Sequence, residues 1–219
     1  MENRNLIRKD NGRFIKLLER NSVTVLDLGC GEGNSLNGIK FIGWNEYMPK
    51  NKSNFIGLDI NKDGLKKAKL QRYNSIVYNL ETGILPFKDK VFDYIIAQDI
   101  IEHLHSHIKI RKEIYRVLKK KGTLYVKVPC ETSPNLWRDY THKRGYTEES
   151  IRQFLEDGKF NIQKFKKYKR TCLLTKNPSF AIKSLLSIII SKVLDHDYTT
   201  YSYYLLCSKS RQNVNSRYQ

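Results

Sequence analysis

The segment Val23-Thr24-Val25-Leu26-Asp27-Leu28-Gly29-Cys30-Gly31-Glu32-Gly33-Asn34 constrains this chain more than any other. Its apolar run reads as a buried strand with an acidic residue near the C-terminal end. Glycines at alternate positions follow. A strand that runs into Gly-x-Gly-x-Gly makes a tight turn where a ligand lies against bare backbone. The dinucleotide fingerprint Gly-x-Gly-x-x-Gly is not met, and no Gly-Lys-Ser/Thr follows to make a phosphate loop. Asp27 beside the turn disfavours a pyrophosphate through like-charge repulsion and suits a ligand with a cationic amine. Asp59, at the end of the next apolar run, suits a ribose diol, since one carboxylate accepts from two hydroxyls.

Downstream, strand and helix patterns alternate. Strands are expected at about 23–28, 55–60, 75–79, 92–98 and 123–129, and helices at about 35–42, 62–72 and 108–118. The last helix is expected to end at Lys119-Lys120-Lys121-Gly122, where cations and glycine suit a C-terminus. This alternation argues an α/β fold, a parallel sheet with helices on both faces. Residues 5–20 carry Leu6, Ile7, Phe14, Ile15, Leu17 and Leu18 among basic residues and read as an amphipathic helix. A polar loop over 43–54 holds Trp44 and Tyr47, which are expected to lie over the ligand pocket.

The irregular stretch 130–147 contains Trp137, Asp139 and His142. Its length and its aromatic and charged content favour a substrate-side role. A capped helix from Thr147, a strand over 160–168, an apolar helix over 178–194 and a tyrosine-rich strand over 199–207 follow. These complete one expected domain, 1–208, with a polar tail, 209–219, expected to be unstructured.

The charge balance is 40 Lys+Arg against 22 Asp+Glu, a formal +18. That excess favours an anionic partner such as RNA or a membrane surface, or it is a face of solvated lysines. Cys30, Cys130, Cys172 and Cys207 form no Cys-x-x-Cys pair, so no zinc or redox spacing is present. The first residues lack an apolar signal core, and no apolar run is long enough to span a bilayer. The expected address is cytoplasmic. The 178–194 helix, a core helix, a lid or an interfacial helix, leaves peripheral membrane association open.

Asp27-Leu28-Gly29-Cys30-Gly31-Glu32-Gly33 resembles the first motif of the class I S-adenosylmethionine-dependent methyltransferases. Gly57-Leu58-Asp59-Ile60 resembles their second motif. Asn79-Leu80-Glu81 through Phe92-Asp93-Tyr94-Ile95-Ile96 resembles the third region. Ile100-Ile101-Glu102-His103-Leu104 and Arg116-Val117-Leu118-Lys119-Lys120-Lys121-Gly122-Thr123-Leu124 resemble the next two elements. The resemblance implies a Rossmann-like, seven-stranded, mostly parallel sheet with its last strand antiparallel and helices on both faces. It implies S-adenosylmethionine as donor and S-adenosylhomocysteine as product. It places Gly29, Cys30, Gly31 and Gly33 under the methionine moiety and Asp27 at its amine, directly or through water. Asp59 and Ile60 fall at the ribose, Asn79 and Leu80 at adenine, and Gln98 on the sulfonium side. Many relatives have Asp where Asn79 stands, and Asn still hydrogen-bonds adenine.

Methyl transfer from a sulfonium is an in-line displacement that needs alignment, and a base only for a weak nucleophile. His142, after the fifth parallel strand, is the candidate general base; Glu102 and His103 are secondary candidates. No metal is expected, although Glu102, His103 and His142 form an alternative carboxylate–histidine group, and His107 lies four residues from His103. The expected acceptor is a small molecule or a sugar or glycan, lipid-linked forms included, methylated on O or N. An RNA methyltransferase is the alternative, resting on the charge. An inactive methyltransferase-like binding protein is the second.

Overall fold

The structure is a computed structural model that describes residues 6–8, 14–16, 23–35, 39, 43–44, 46, 54–71, 73–134, 136–171 and 199–210. It opens with two short strands, β1 (Leu6–Arg8) and β2 (Phe14–Lys16), paired antiparallel with Ile7 opposite Ile15. The helix expected over 5–20 is therefore corrected to a hairpin. The two strands each set apolar residues beside a basic one, Leu6-Ile7-Arg8 and Phe14-Ile15-Lys16, a pattern that serves strand pairing as well as a helix face.

Seven further strands form one sheet: β3 (Thr24–Leu28), β4 (Asn54–Asp59), β5 (Tyr73–Val77), β6 (Phe92–Gln98), β7 (Leu118–Pro129), β8 (Phe160–Thr171) and β9 (Thr199–Lys209). Their spatial order is β5-β4-β3-β6-β7-β9-β8. The first five run parallel. The last strand, β9, lies antiparallel between β7 and β8. The expected mostly parallel sheet with an antiparallel last strand is what the chain forms. Strand order reverses between β3 and β6, and a crevice opens at such a switch point beyond the carboxyl ends of the strands. The glycine turn leaves β3 at that place.

Alternation along β3 sorts the core. Leu26 and Leu28 face a large cluster with Ile56, Leu58 and Ile95, covered by α2 (His107–Val117) and α3 (Glu148–Glu156) through Ile110, Ile114, Ile151 and Leu155. Val25 faces the other side, with Ile39, Trp44, Ile96, Tyr125 and Leu206. Trp44 is thus a core residue beneath the sheet, not a cover for the pocket. A large indole gains more from full burial than from a rim position. Tyr47 and the 178–194 helix lie outside the described residues. Ser35 and Ile39 are helical, while the rest of 36–42 also lies outside them.

Helix α1 (Lys62–Leu70) buries Leu65 and Ala68, and its N-cap Asn61 accepts from the backbone N–H groups of Asp63 and Gly64. Helix α3 starts at the expected place, with Thr147 and Ser150 forming a reciprocal capping box. Helix α2 ends earlier than expected. Leu118 already has extended dihedrals, and Lys119-Lys120-Lys121 belongs to β7. Lys119 pairs there with Asp93 at 2.7 Å. Gly122 serves close packing rather than a cap, because a Cβ would sit 2.6 Å from the Leu118 side chain. Strand β9 runs through Lys209, so the polar tail begins later than position 209, and 211–219 lies outside the described residues.

Candidate active site

The turn after β3 is built by backbone. The amides of Gly29 and Cys30 donate to Leu58 O at 2.8 and 3.2 Å, and Gly33 N donates to Cys30 O at 2.8 Å. Gly29, Gly31 and Gly33 all have positive φ, at 67°, 49° and 85°. Their reasons differ. A Cβ on Gly29 would lie 2.7 Å from Ile100, and one on Gly33 would lie 3.1 Å from the Tyr73 ring. A Cβ on Gly31 would meet nothing within 4 Å. The backbone at Gly31 therefore borders open space. Cys30 turns inward, and its sulfur fills the gap left by Gly57 on β4, where a Cβ would be 2.4 Å away. Burial pushes its thiol up, so it stays protonated.

The two aspartates fix this turn from opposite sides. Asp59 is half-buried; its Oδ2 accepts from Gly31 N at 2.8 Å and its Oδ1 from Asn61 N at 2.7 Å. It therefore ties the turn to the start of α1, and each oxygen keeps a further lone pair. Asp27 is completely buried; its Oδ1 accepts from the Ser35 hydroxyl and its Oδ2 from the Tyr73 phenol, both at 3.0 Å. Burial pushes its pKa up to about 7, against the pull of those two hydrogen bonds. Asp27 locks Ser35 and Tyr73 behind the glycines.

Along the carboxyl edge, Ile60 follows Asp59 and is 67 % exposed, an apolar surface at the mouth of the crevice. Asn79 is exposed; its Oδ1 accepts from Glu81 N at 3.0 Å, which caps a 3₁₀ turn over Leu80–Thr82, and its amide nitrogen stays available. Leu80 is buried. Gln98 ends β6, and its Oε1 is buried without a hydrogen-bond partner.

Beyond Gln98 the chain bends sharply. Asp99 has φ 50° and pairs with Lys127 on β7. A 3₁₀ turn, Ile101–His103, then presents two candidate residues. Two contacts sew the 130–147 loop to this turn. Lys143 N donates to Glu102 O at 2.9 Å, and Arg144 Nη1 donates to Leu104 O at 2.8 Å. They bring His142 against His103 with ring centroids 4.5 Å apart. The ligand-capable atoms of Glu102, His103 and His142 all lie within 4.8 Å of one another. His107 is not part of the group; its ring stacks on Phe154 at 5.5 Å.

Proton positions in this group follow from the partners. His142 Nδ1 faces Leu136 O, which only accepts, so Nδ1 carries the hydrogen. Thr141 Oγ1 donates to Asp139 Oδ1, so it accepts from His103 Nδ1, 2.9 Å away. Nδ1 of each ring is thereby engaged, and in a neutral ring this leaves the lone pair on Nε2. Burial, helped by His142, lowers the His103 pKa and keeps that ring neutral at pH 7. Glu102 is fully buried, and neither carboxylate oxygen has a hydrogen-bond partner. Burial, followed by the nearby Asp99, pushes its pKa up to about 8.

Sequence reasoning named Glu102, His103 and His142, and the fold brings the three together. It missed the residues that orient them, Thr141, Asp139 and the Leu136 carbonyl. The Asp139-x-Thr141 spacing, typical of an Asx turn, was the available signal, and Thr141 N does donate to Asp139 Oδ1 at 2.9 Å. Tyr73 and Ser35 were missed as well, and no local pattern marks either as a partner of Asp27.

Comparison with known proteins adds an independent line. A methyltransferase domain family model matches residues 26–126. An uncharacterised protein of Methanocaldococcus jannaschii is 33 % identical over 146 residues, covering 65 % of this chain and 57 % of that protein. The chain thus spans little more than half the length of that relative. A SAM-dependent methyltransferase of Methanosarcina mazei superposes with TM-score 0.59 at 17 % identity, covering 89 % of this chain and 95 % of that one. One from Archaeoglobus fulgidus gives TM-score 0.55 at 21 % identity, covering 87 % of each chain. At these identities the two structures speak to the fold.

Proposed function

We propose that this chain, whose residues 26–126 match a methyltransferase domain model, is a class I S-adenosylmethionine-dependent methyltransferase that methylates an oxygen or nitrogen of a small molecule or glycan. S-Adenosylmethionine would supply a methyl group on a sulfonium, which leaves as the neutral thioether. The open space over Gly31, the exposed Ile60 beside Asp59 and the partnerless Gln98 Oε1 fit that donor at the switch point. Asp59 would accept from its hydroxyls, and the Asn79 amide nitrogen would donate to its base.

The observation that carries the acceptor side is the pair of imidazoles beyond the end of β6 whose Nδ1 atoms are both engaged, which leaves their Nε2 atoms to face an acceptor. When the new bond to the methyl carbon forms, the acceptor's proton passes to one of those nitrogens, His142 being our assignment. Isothermal calorimetry with S-adenosylmethionine, paired with a methyl-transfer assay on candidate acceptors, tests this. We expect the wild type to bind the donor and His142→Ala to keep that affinity while losing turnover by at least about a hundredfold. Unchanged turnover removes His142 from this role, and absence of donor binding favours an inactive relative.

Glu102 supports a second reading. Two imidazoles and the buried Glu102 carboxyl lie together, and each imidazole is oriented through its Nδ1. That is the donor set and outer shell of a divalent transition-metal site, which would orient a hydroxyl acceptor and acidify it. Manganese titration followed by electron paramagnetic resonance checks it. Stoichiometric binding that Glu102→Gln abolishes is expected on this reading; a signal matching free manganese rejects it.

A further inference from the structure

A cavity of about 350 Å³ lies apart from this group, between α2, α3 and the end of the 130–147 loop. Arg111 of α2, Arg144 and Tyr146 of the loop and Phe154 of α3 are among its lining residues. We propose that this cavity binds an oxyanion of the phosphate class.

Two guanidinium groups face one space with no acidic partner. Among the described residues neither Arg111 nor Arg144 forms an ion pair, although the exposed Asp157 also lines the cavity. Each is anchored by a backbone carbonyl instead. Arg111 Nη1 donates to Phe154 O at 2.5 Å, and Arg144 Nη1 donates to Leu104 O at 2.8 Å. Anchoring one nitrogen leaves the rest of each fork to bind. Arg111 is also held by packing. It sits 5.0 Å over the Phe154 ring, and Gly158 leaves room for its stem, since a Cβ there would be 2.7 Å from Arg111 Cδ. Placement of this kind reduces the entropy lost when a planar fork meets an anion.

Two buried donors belong to side chains at this cavity. Arg111 Nε is inaccessible to solvent and makes no hydrogen bond. The Tyr146 hydroxyl is likewise buried, on a residue only 4 % exposed, with the Arg144 side chain as its neighbour. An unpaired buried donor is unfavourable, and a small shift of the side chain toward the cavity would let an anion there pair with it. Burial pushes the Tyr146 phenol up to about 12, so it remains a donor at neutral pH. Several donors, two of them cationic, outnumber the single lining carboxylate, the exposed Asp157, and favour an anion with several oxygens. Bound there, it would tie Arg144 and Tyr146, on the loop that carries His142, to Arg111 on α2.

The source is either the free ion or the phosphoryl group of an organic ligand, for which the Phe154 and His107 rings offer a flat wall. Calorimetry at low ionic strength with inorganic phosphate and with phenyl phosphate separates the two. Saturable binding of at least one probe is expected. Arg111→Gln and Arg144→Gln should each weaken it tenfold or more, and Tyr146→Phe several-fold. Equal affinity for both probes assigns the free ion; tighter binding of phenyl phosphate assigns an organic phosphate. If Arg144→Gln fails to fold, the other two variants carry the test. No saturable binding of either probe, or binding unaffected by Arg111→Gln and Tyr146→Phe, overturns the proposal. The readout is independent of methyl transfer, so it stands or falls apart from the reading above.

Discussion

Asp27 sits directly behind the glycine turn with no solvent contact, and its carboxyl is pushed up from 3.8 to about 7. Between those two values the folded protein holds a proton that the unfolded chain has released. Stability therefore falls as pH rises through that window; the contribution is full below 3.8 and gone above about 7. At about 1.4 kcal/mol per pH unit the span amounts to at most about 4 kcal/mol. Asp27→Asn is neutral throughout, so the stability difference between wild type and variant isolates this one group. Urea unfolding at about pH 4 and about pH 7.5 should show the wild type losing a few kcal/mol relative to the variant as pH rises. A pH-independent difference would mean that Asp27 ionises normally despite its burial.

The elements differ in how much of them their own sequence discloses. The parallel core was legible because β3, β4 and β6 are short apolar runs that end at or just before an acid or a glycine, and tertiary burial agrees with that pattern: every residue of β3 is buried. The N-terminal segment misled because Leu6, Ile7, Phe14 and Ile15 satisfy a helical spacing and a hairpin pairing equally well. The chain takes the pairing, with Ile7 opposite Ile15. The Lys119–Lys121 run misled because charge at a helix end and charge on a strand look alike, and the Asp93 partner that settles it lies 26 residues away in sequence. The site shows the same division. The candidate ligand-contact residues belong to recognisable motifs, whereas those that orient the imidazoles act through single contacts between distant segments. His103 and Thr141 are 38 positions apart, and Asp27 and Tyr73 are 46. No periodicity encodes such a contact; it exists only once sheet order has set which loops are neighbours.

At the scale of the whole molecule the open question is what the +18 charge does. Part of it is compensated locally, since Lys66, Lys67, Lys119, Lys127 and Lys164 each pair with an acid on elements spread around the sheet. On the outer strands, lysine covers tyrosine. Lys167 lies over Tyr201 and Tyr203, and Lys166 over Tyr168. A sheet that reads single-stranded RNA stacks bases on bare aromatic faces, and here lysine ammonium groups sit on those faces. The arrangement favours a general anionic attraction over base stacking, in keeping with a small acceptor. Salt separates the cases. An RNA substrate held by about 6–10 phosphate contacts loses about 10³–10⁵ in affinity between about 50 and about 200 mM salt. A small neutral acceptor engages none of that charge, so its kcat/KM should change by less than about twofold over the same range. Measuring kcat/KM for the identified acceptor at both salt concentrations decides the matter. A steep fall would return the basic surface to the substrate site and make RNA the acceptor.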